Sequence, residues 1–303
     1  MASSKEELGA LLARLSEDKL SGSRHLALVA LRALELYLLR AEEEPPSLYR
    51  GALQLAKDMA ALRPNMAAIA NALAEVLHVM GTQLQAREAR QVGLHAIERV
   101  ASELRGAAQR TARAFRALVE PGGVYVTLSS SETVREGLLA ARPALVYVCE
   151  SRPRLEGRAL ARQLKEAGLE AILIPDVAAS FALERASALV LGADVVYPDG
   201  RFVNKAGSKL LCCHASRLQR PVYVLFDRWK LWPLPPASFS PEQDDPSLLT
   251  QGEPGLRAEV PLFEVVEPPA TLVHVSEFGP LREHELRARA QERLLMLRAL
   301  MTN

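Results

Sequence analysis

The chain has 303 residues, of which 49% are hydrophobic and 24% charged, an ordinary globular balance with length enough for two domains. Its formal net charge of +1 excludes a nucleic-acid-coating surface or a polybasic membrane anchor and leaves room only for a local basic pocket. Three cysteines, two of them adjacent at Cys212 and Cys213, make no disulfide framework and fit a reducing compartment.

The opening stretch MASSKEELGALLARL mixes charge with apolar residues and has no uninterrupted hydrophobic core, so it does not read as a signal peptide. No run approaches the ~20 apolar residues that cross a bilayer. A cytoplasmic location is expected, with no membrane contact and no direct nucleic-acid binding. Aromatics make up only 5% of the chain, so the core must be built from Leu, Ala and Val.

Up to about Val119 the periodicity is helical. SRHLALVALRALELYLLRA places leucines three and four apart, as an amphipathic helix does. SLYRGALQLAKDMAALR is a second such segment, and Arg63-Pro64 separates it from NMAAIANALAEVLHVM. From about Gln83 to Leu118 the chain is rich in Arg and Ala and only weakly broken by Gly93 and Gly106, which predicts one long helix or two end to end. Its charges read as a solvated face.

Glu120 to Gly123 is a breaker, and after it the pattern changes. Short apolar runs follow: VYVTL (124–128), ALVYVCE (144–150), EAILIP (170–175), SALVLGAD (187–194) and PVYVLF (221–226). Helical segments such as EGRALARQLKEAG and NKAGSKLLCCHASRLQ separate them. This alternation predicts a parallel sheet covered on both faces. The Pro-, Ser- and Asp-rich stretch from Phe226 to Gly255 reads as a long surface loop, and long loops in compact domains are often functional. Two further strands, LFEVVE and TLVHVSE, and a helix from about Leu281 complete an α/β fold. The expected organisation is an all-helical N-terminal domain over 1–119 and a Rossmann-like parallel-sheet domain over 120–303 carrying most of the ligand site.

In an open parallel sheet, ligands gather at the carboxyl ends of the strands. That rule selects TLSSSET, CESRPRLEG, IPD and GADVVYPDGRFVNKAG. Ser129, Ser130 and Ser131 supply hydroxyls and amides at a helix start, a natural phosphate cradle, although a serine there is most often simply a cap. Asn204 and Lys205 are expected to open the next helix and add a charge. Asp194, at the end of a buried strand, is a candidate general acid or base, and by itself also an ordinary turn residue.

Cys212, Cys213 and His214 point about 100° apart on a helix and cannot share one metal, so they read as packing residues. The histidines are scattered without zinc-ligand spacing, and neither a Walker motif nor Gly-x-Gly-x-x-Gly is present. No metal or cofactor is expected. Trp229 and Trp232 fit packing better than a pocket or a subunit contact.

LVLGADVVYPDGRFVNKAGSKLL resembles the signature of the family that joins the alpha, beta and delta subunits of translation initiation factor 2B with methylthioribose-1-phosphate isomerase and ribose-1,5-bisphosphate isomerase. ESRPRLEGRALARQLKEAG, LRPNMAAIANAL, SGSRHLALVAL and LFEVVEPPATLVHVSEFG are similar to further segments of that family, in order along nearly the whole chain. The resemblance implies a phosphorylated sugar or nucleotide as ligand. It gives Asp194 one half of an acid–base pair, Asn204 and Lys205 a substrate clamp, Arg63 a phosphate contact and Lys230 reach to a second phosphate. It also implies at least a homodimer through the C-terminal domain, with hexamers known in the family.

Departures from the family pattern are specific. The catalytic cysteine position is Ser129, whose hydroxyl is a far weaker acid than a thiol. An Arg-Gly-Ala ligand loop reads Ser21-Gly22-Ser23, and a substrate-contacting glutamine is Glu156. With Ser131, these complete the candidate ligand residues. The pattern leaves two readings open: an aldose–ketose isomerase of a ribose-1-phosphate-type substrate, or a non-catalytic regulatory or sensor subunit acting through protein partners.

Overall fold

The computed structural model describes residues 4–42, 44–82, 88–234 and 239–301. The start of the helix expected from Gln83 (83–87) and part of the Pro-rich loop (235–238) lie outside the described residues. The chain forms two compact units: Met1–Gly106, Trp229–Pro233 and Ala288–Asn303 make the first, and Ala107–Arg228 with Leu234–Arg287 make the second.

The first unit is helical, from α1 (Ser4–Glu17), α2 (Ser23–Arg40), α3 (Pro45–Leu62), α4 (Ala67–Gly81) and the first part of α5 (Ala89–Arg116). Pro45 sits in the first turn of α3, where its missing N–H costs nothing, and the α3 helix stops at Arg63, the residue before Pro64. AAIANALAEV is apolar on almost every side, and α4 is correspondingly buried along most of its length. Its two buried polar residues are satisfied. Asn71 donates to the carbonyls of Trp229 and Leu231, each at 2.8 Å, which ties the 229–233 segment into this unit. Glu75 accepts from Arg99 at 2.9 Å and from Arg293 at 3.0 Å. Trp229 is fully buried, and Trp232 packs on a small core of Ala70, Ala74 and Leu297.

The second unit contains β1 (Val124–Leu128), α6 (Glu132–Ala141), β2 (Leu145–Cys149), α7 (Glu156–Glu166), β3 (Ala171–Ile174), α8 (Ala179–Arg185), β4 (Ala188–Gly192), β5 (Val195–Val196), β6 (Phe202–Lys205), α9 (Ser208–Arg217) and β7 (Val222–Leu225). It continues through α10 (Ser247–Thr250), β8 (Phe263–Val266), β9 (Leu272–Ser276), β10 (Gly279–Leu281) and the start of α11 (Glu283–Met301). The main sheet has seven strands in the order β10-β9-β7-β4-β1-β2-β3. Only β10 is antiparallel to its neighbour. Phe115, Val134, Leu138, Leu160 and Leu164 close one face over Val146, Val148, Val190 and Leu225. The helices α8 and α9 pack on β1, β2, β4 and β7.

LFEVVE, expected as a strand, forms β8; it pairs antiparallel with β6, and β5, β6 and β8 form a small separate sheet. One expectation is corrected here. Asn204 and Lys205 do not open a helix. They are the last ladder residues of β6, opposite Glu264 and Phe263, and the helix begins only at Ser208 behind Gly207, whose φ of 103° needs glycine. No helix of the described residues is long and apolar enough to cross a membrane.

Candidate functional site

The strands β1, β2, β3 and β4 run parallel, so their last residues lie along one edge of the second unit. Ser129, immediately after β1, has φ +66°, and Ser151, just beyond β2, has φ +63°. Both are left-handed backbones that a non-glycine residue adopts at a cost. The amide of Ser129 donates to Oγ of Ser151 at 2.7 Å, and that hydroxyl donates to the carbonyl of Cys149 at 3.2 Å. The amides of Ser151 and Arg152 donate to the two carboxylate oxygens of Asp176, each at 2.7 Å. Asp176, marked in the sequence only by its IPD strand end, thus ties the ends of β2 and β3 together and holds the hydroxyl that fixes Ser129.

Asp194 follows β4. Its amide donates to the carbonyl of Val203 at 2.8 Å, and the pairing of Val195 with Val203 sets Asp194 across from Asn204. Ser131 caps α6, accepting from the amide of Val134 at 3.4 Å, and lies over Gly192, where a Cβ would come within 2.7 Å of its Oγ. Asn204 donates to Oγ of Ser208 at 2.9 Å, and that hydroxyl donates to the carbonyl of Lys205 at 2.6 Å. The turn after Lys205 runs beside the end of β1, since a Cβ on Gly207 would touch Leu128 at 3.5 Å.

Glu156 begins α7, and its Oε1 accepts from Nζ of Lys205 at 2.6 Å. Both side chains are more than nine-tenths buried, 8% and 9% exposed. The first amides of α9 are also occupied: Gly207 and Lys209 both donate to Oε1 of Glu264, each at 2.8 Å. Glu264 is not identifiable from sequence, because the amides it serves are far along the chain, and Asp176 is marked only by its strand end, without the partners it serves.

The cysteines do not supply a nucleophile to this edge. Burial, assisted by the charge of Asp176, pushes the Cys149 thiol up to about 12, and burial does the same to Cys212. Cys213 is exposed. Among the described residues no group of three His, Cys, Asp or Glu side chains is placed to hold a metal ion.

The remaining candidates, Gly22, Ser23, Arg63 and Lys230, belong to the helical unit and group around the start of α2. Gly22 is the N-cap residue of that helix. Nζ of the buried Lys230 donates to Oγ of the buried Ser23. Arg63, 1% exposed, donates from Nη1 to the carbonyl of Asp18 at 2.6 Å. Burial opposes ionisation of Asp18, but hydrogen bonds from Ser21 and Leu20 hold its carboxyl below the usual carboxylate range. Asp18 therefore shapes the Ser21-Gly22-Ser23 loop from one side and receives Arg63 from the other. Six of the candidates, Ser129, Ser131, Glu156, Asp194, Asn204 and Lys205, share the edge of the α/β unit.

The chain is 31% identical over 232 residues to the translation initiation factor eIF-2B subunit 2-like protein of Pyrococcus horikoshii, covering 74% of this chain and 79% of the relative. It is 28% identical over 281 residues to the ribose 1,5-bisphosphate isomerase of Haloterrigena turkmenica, covering 86% of each. The crystal structure of the Pyrococcus horikoshii OT3 translation initiation factor eIF-2B has the same fold, with a TM-score of 0.80 at 24% identity over 91% of this chain and 97% of that one. The model of the Initiation factor 2 subunit family matches residues 19–282, and the chain belongs to that family.

Proposed function

We propose that the edge of the α/β unit binds the sugar of a phosphorylated sugar or nucleotide and that the protein is an aldose–ketose isomerase of a ribose-1-phosphate-type compound. One observation supports this reading: β5–β6 pairing sets Asp194 across the ladder from Asn204, on the edge where Ser129 follows β1 in a left-handed conformation. In the reaction Asp194 moves the proton between neighbouring sugar carbons, and Ser129 orients the sugar or a water. The ribose 1,5-bisphosphate isomerase among the relatives supports the substrate class.

A second reading has its own observation. A serine hydroxyl, not an acidic thiol, follows β1, and the eIF-2B subunit 2-like relative favours a sensor that binds the same class of ligand without converting it. Ribose 1,5-bisphosphate and methylthioribose 1-phosphate, incubated with the full chain and followed by NMR, separate the two. Conversion that disappears in Asp194→Asn establishes the isomerase; saturable binding with no conversion establishes the sensor. If neither compound binds, both readings fall.

Assembly into at least a dimer, in the cytoplasm, belongs to the same proposal. It is supported by the open edge strand β3, where Ile172 and Leu173 are each 41% exposed beside the exposed Val177 and Phe181. Sedimentation velocity of the full chain tests it.

A further inference from the structure

Three anion-attracting groups on the edge of the α/β unit already have a carboxylate of this chain on them. Lys205 is 2.6 Å from Glu156, the first amides of α9 donate to Glu264, and the amides of Ser151 and Arg152 donate to Asp176. The Glu156–Lys205 pair differs from the other two in one respect. Oε2 of Glu156 is buried and has no hydrogen-bond partner among the described residues, although the side chain is only 9% exposed. A buried carboxylate oxygen is retained in that state at a cost unless a donor reaches it. What the pair offers a guest is therefore an acceptor. The ammonium that would attract an anion is spent, and Glu156 and Asp194 repel one.

We propose that Glu156 determines ligand specificity at this edge: it masks Lys205 from phosphate and selects the hydroxyl-bearing, uncharged face of a sugar, whose O–H groups donate to Oε2. This rests on the reading of the edge as a sugar site and adds the orientation of the ligand, hydroxyls toward Glu156 and phosphate away from it. Glutamine at the same position keeps the size of the side chain and the hydrogen bond to Lys205. It removes the charge that neutralises the ammonium.

The test compares the full-length protein with Glu156→Gln and with Glu156→Gln/Lys205→Gln, using inorganic phosphate, ribose and ribose 5-phosphate as probes in calorimetric titrations. Glu156→Gln should bind inorganic phosphate about tenfold or more tightly than the parent and bind ribose less tightly. The double variant should lose the phosphate gain, which places it at Lys205. Equal phosphate affinity in parent and Glu156→Gln overturns the proposal, as does a gain that survives loss of Lys205. Failure of every protein to bind ribose or ribose 5-phosphate sinks the sugar-site reading, whereas a phosphate gain in Glu156→Gln alone still demonstrates the masking.

Should Glu156→Gln fail to fold, the parent protein answers by amide NMR. Ribose must perturb Ser129, Gly157 and Ala206 while inorganic phosphate does not. Perturbation of these amides by phosphate, or by neither probe, overturns the proposal.

Discussion

Gly157 lies so close over the carbonyl of Cys149 that a Cβ placed on it would come within 1.9 Å of that oxygen. The first turn of α7 can therefore rest directly on the end of β2 only because residue 157 has no side chain, and this contact is what brings Glu156 to Lys205. Because the obstacle is backbone, it cannot swing aside. Gly157→Ala should destabilise the protein by about 1–3 kcal/mol through overpacking. Gly9→Ala, in α1 where a Cβ meets nothing within 4 Å, should instead be neutral or stabilising by about 0.5–1 kcal/mol. Urea denaturation of both variants checks the contrast; a harmless Gly157→Ala would contradict the close approach.

Asp176 takes two backbone amides on its carboxylate, and through Ser151 it also sets the orientation of the Ser129 amide. Asp176→Ala leaves both donors without their acceptor, a loss of about 1–3 kcal/mol at a partly buried position. Hydrogen exchange should accelerate at Ser151 and Arg152 first and at Ser129 with them, while amides of α4 in the helical unit keep their protection. Uniform acceleration across both units would show a global effect and not the local tie.

The later part of the long stretch after Phe226 is held by an ion pair between Arg154 and Asp244. Arg154 grips Asp244 with two nitrogens, Nη2 reaching Oδ1 at 2.7 Å, and the Asp244 side chain is only 3% exposed. The hydrogen bond from Arg154 holds the Asp244 carboxyl below its usual range against the effect of burial. A lowered acid stabilises above its ordinary value of 3.8 and loses that contribution as pH falls through the folded value. Asp244→Ala should free the segment from Gln243 to Pro261, whose ends are joined by the Gln243–Pro261 bridge and a hydrogen bond from the amide of Val260 to Oε1 of Gln243, and trypsin should then cleave at Arg257 well before the rest of the unit is cut. Unchanged cleavage would mean that the anchor lies elsewhere.

Much of the fold can be read from local pattern. VYVTL is β1 residue for residue, because a β-branched run bounded by Gly-Gly and by a serine cluster has few other solutions. Asp194, Ser129 and Ser131 follow from the carboxyl-end rule alone. FVNK could not be assigned in the same way. Four residues after a Pro-Asp-Gly turn carry no helical or strand period of their own, and they become a strand only because Phe263–Val266, about sixty residues on, pairs with them. The same separation hides Glu264 as the cap of α9, Asp176 as the support of Ser151, and Glu156 as the partner of Lys205. Each is a carboxylate meeting a donor from a distant segment, and local periodicity says nothing about such pairs. The helical unit shows the effect as well: Trp229–Pro233 joins it through Asn71, a contact that no spacing in the chain announces.

Between about pH 4 and 7 the pH dependence of stability should be set by two groups at opposite signs. Glu277, just after β9, is raised from 4.5 to about 7, first by burial and then by the charge of Asp227. Its carboxylate accepts the amide of Arg228 at 3.2 and 3.1 Å, which only partly offsets both. A raised acid stabilises fully below 4.5 and loses that contribution as pH rises through about 7. His274 is the reverse case. Burial lowers it from 6.5 to about 4, against the hydrogen bond its ring makes with the carbonyl of Gly200 at 2.9 Å. The neutral ring packs edge-on against Phe226, and its contribution is present above 6.5 and lost as pH falls through about 4. Between about 4.5 and 6.5 the two oppose each other, so the parent protein should be nearly flat in stability there. Glu277→Gln removes the acid-side gain and uncovers the histidine. Its stability should exceed that of the parent above pH 7 and fall more steeply than the parent's on acidification from 6.5 toward 4. Melting temperatures of both proteins across this range decide it: parallel curves for parent and variant would show that Glu277 does not carry the raised proton.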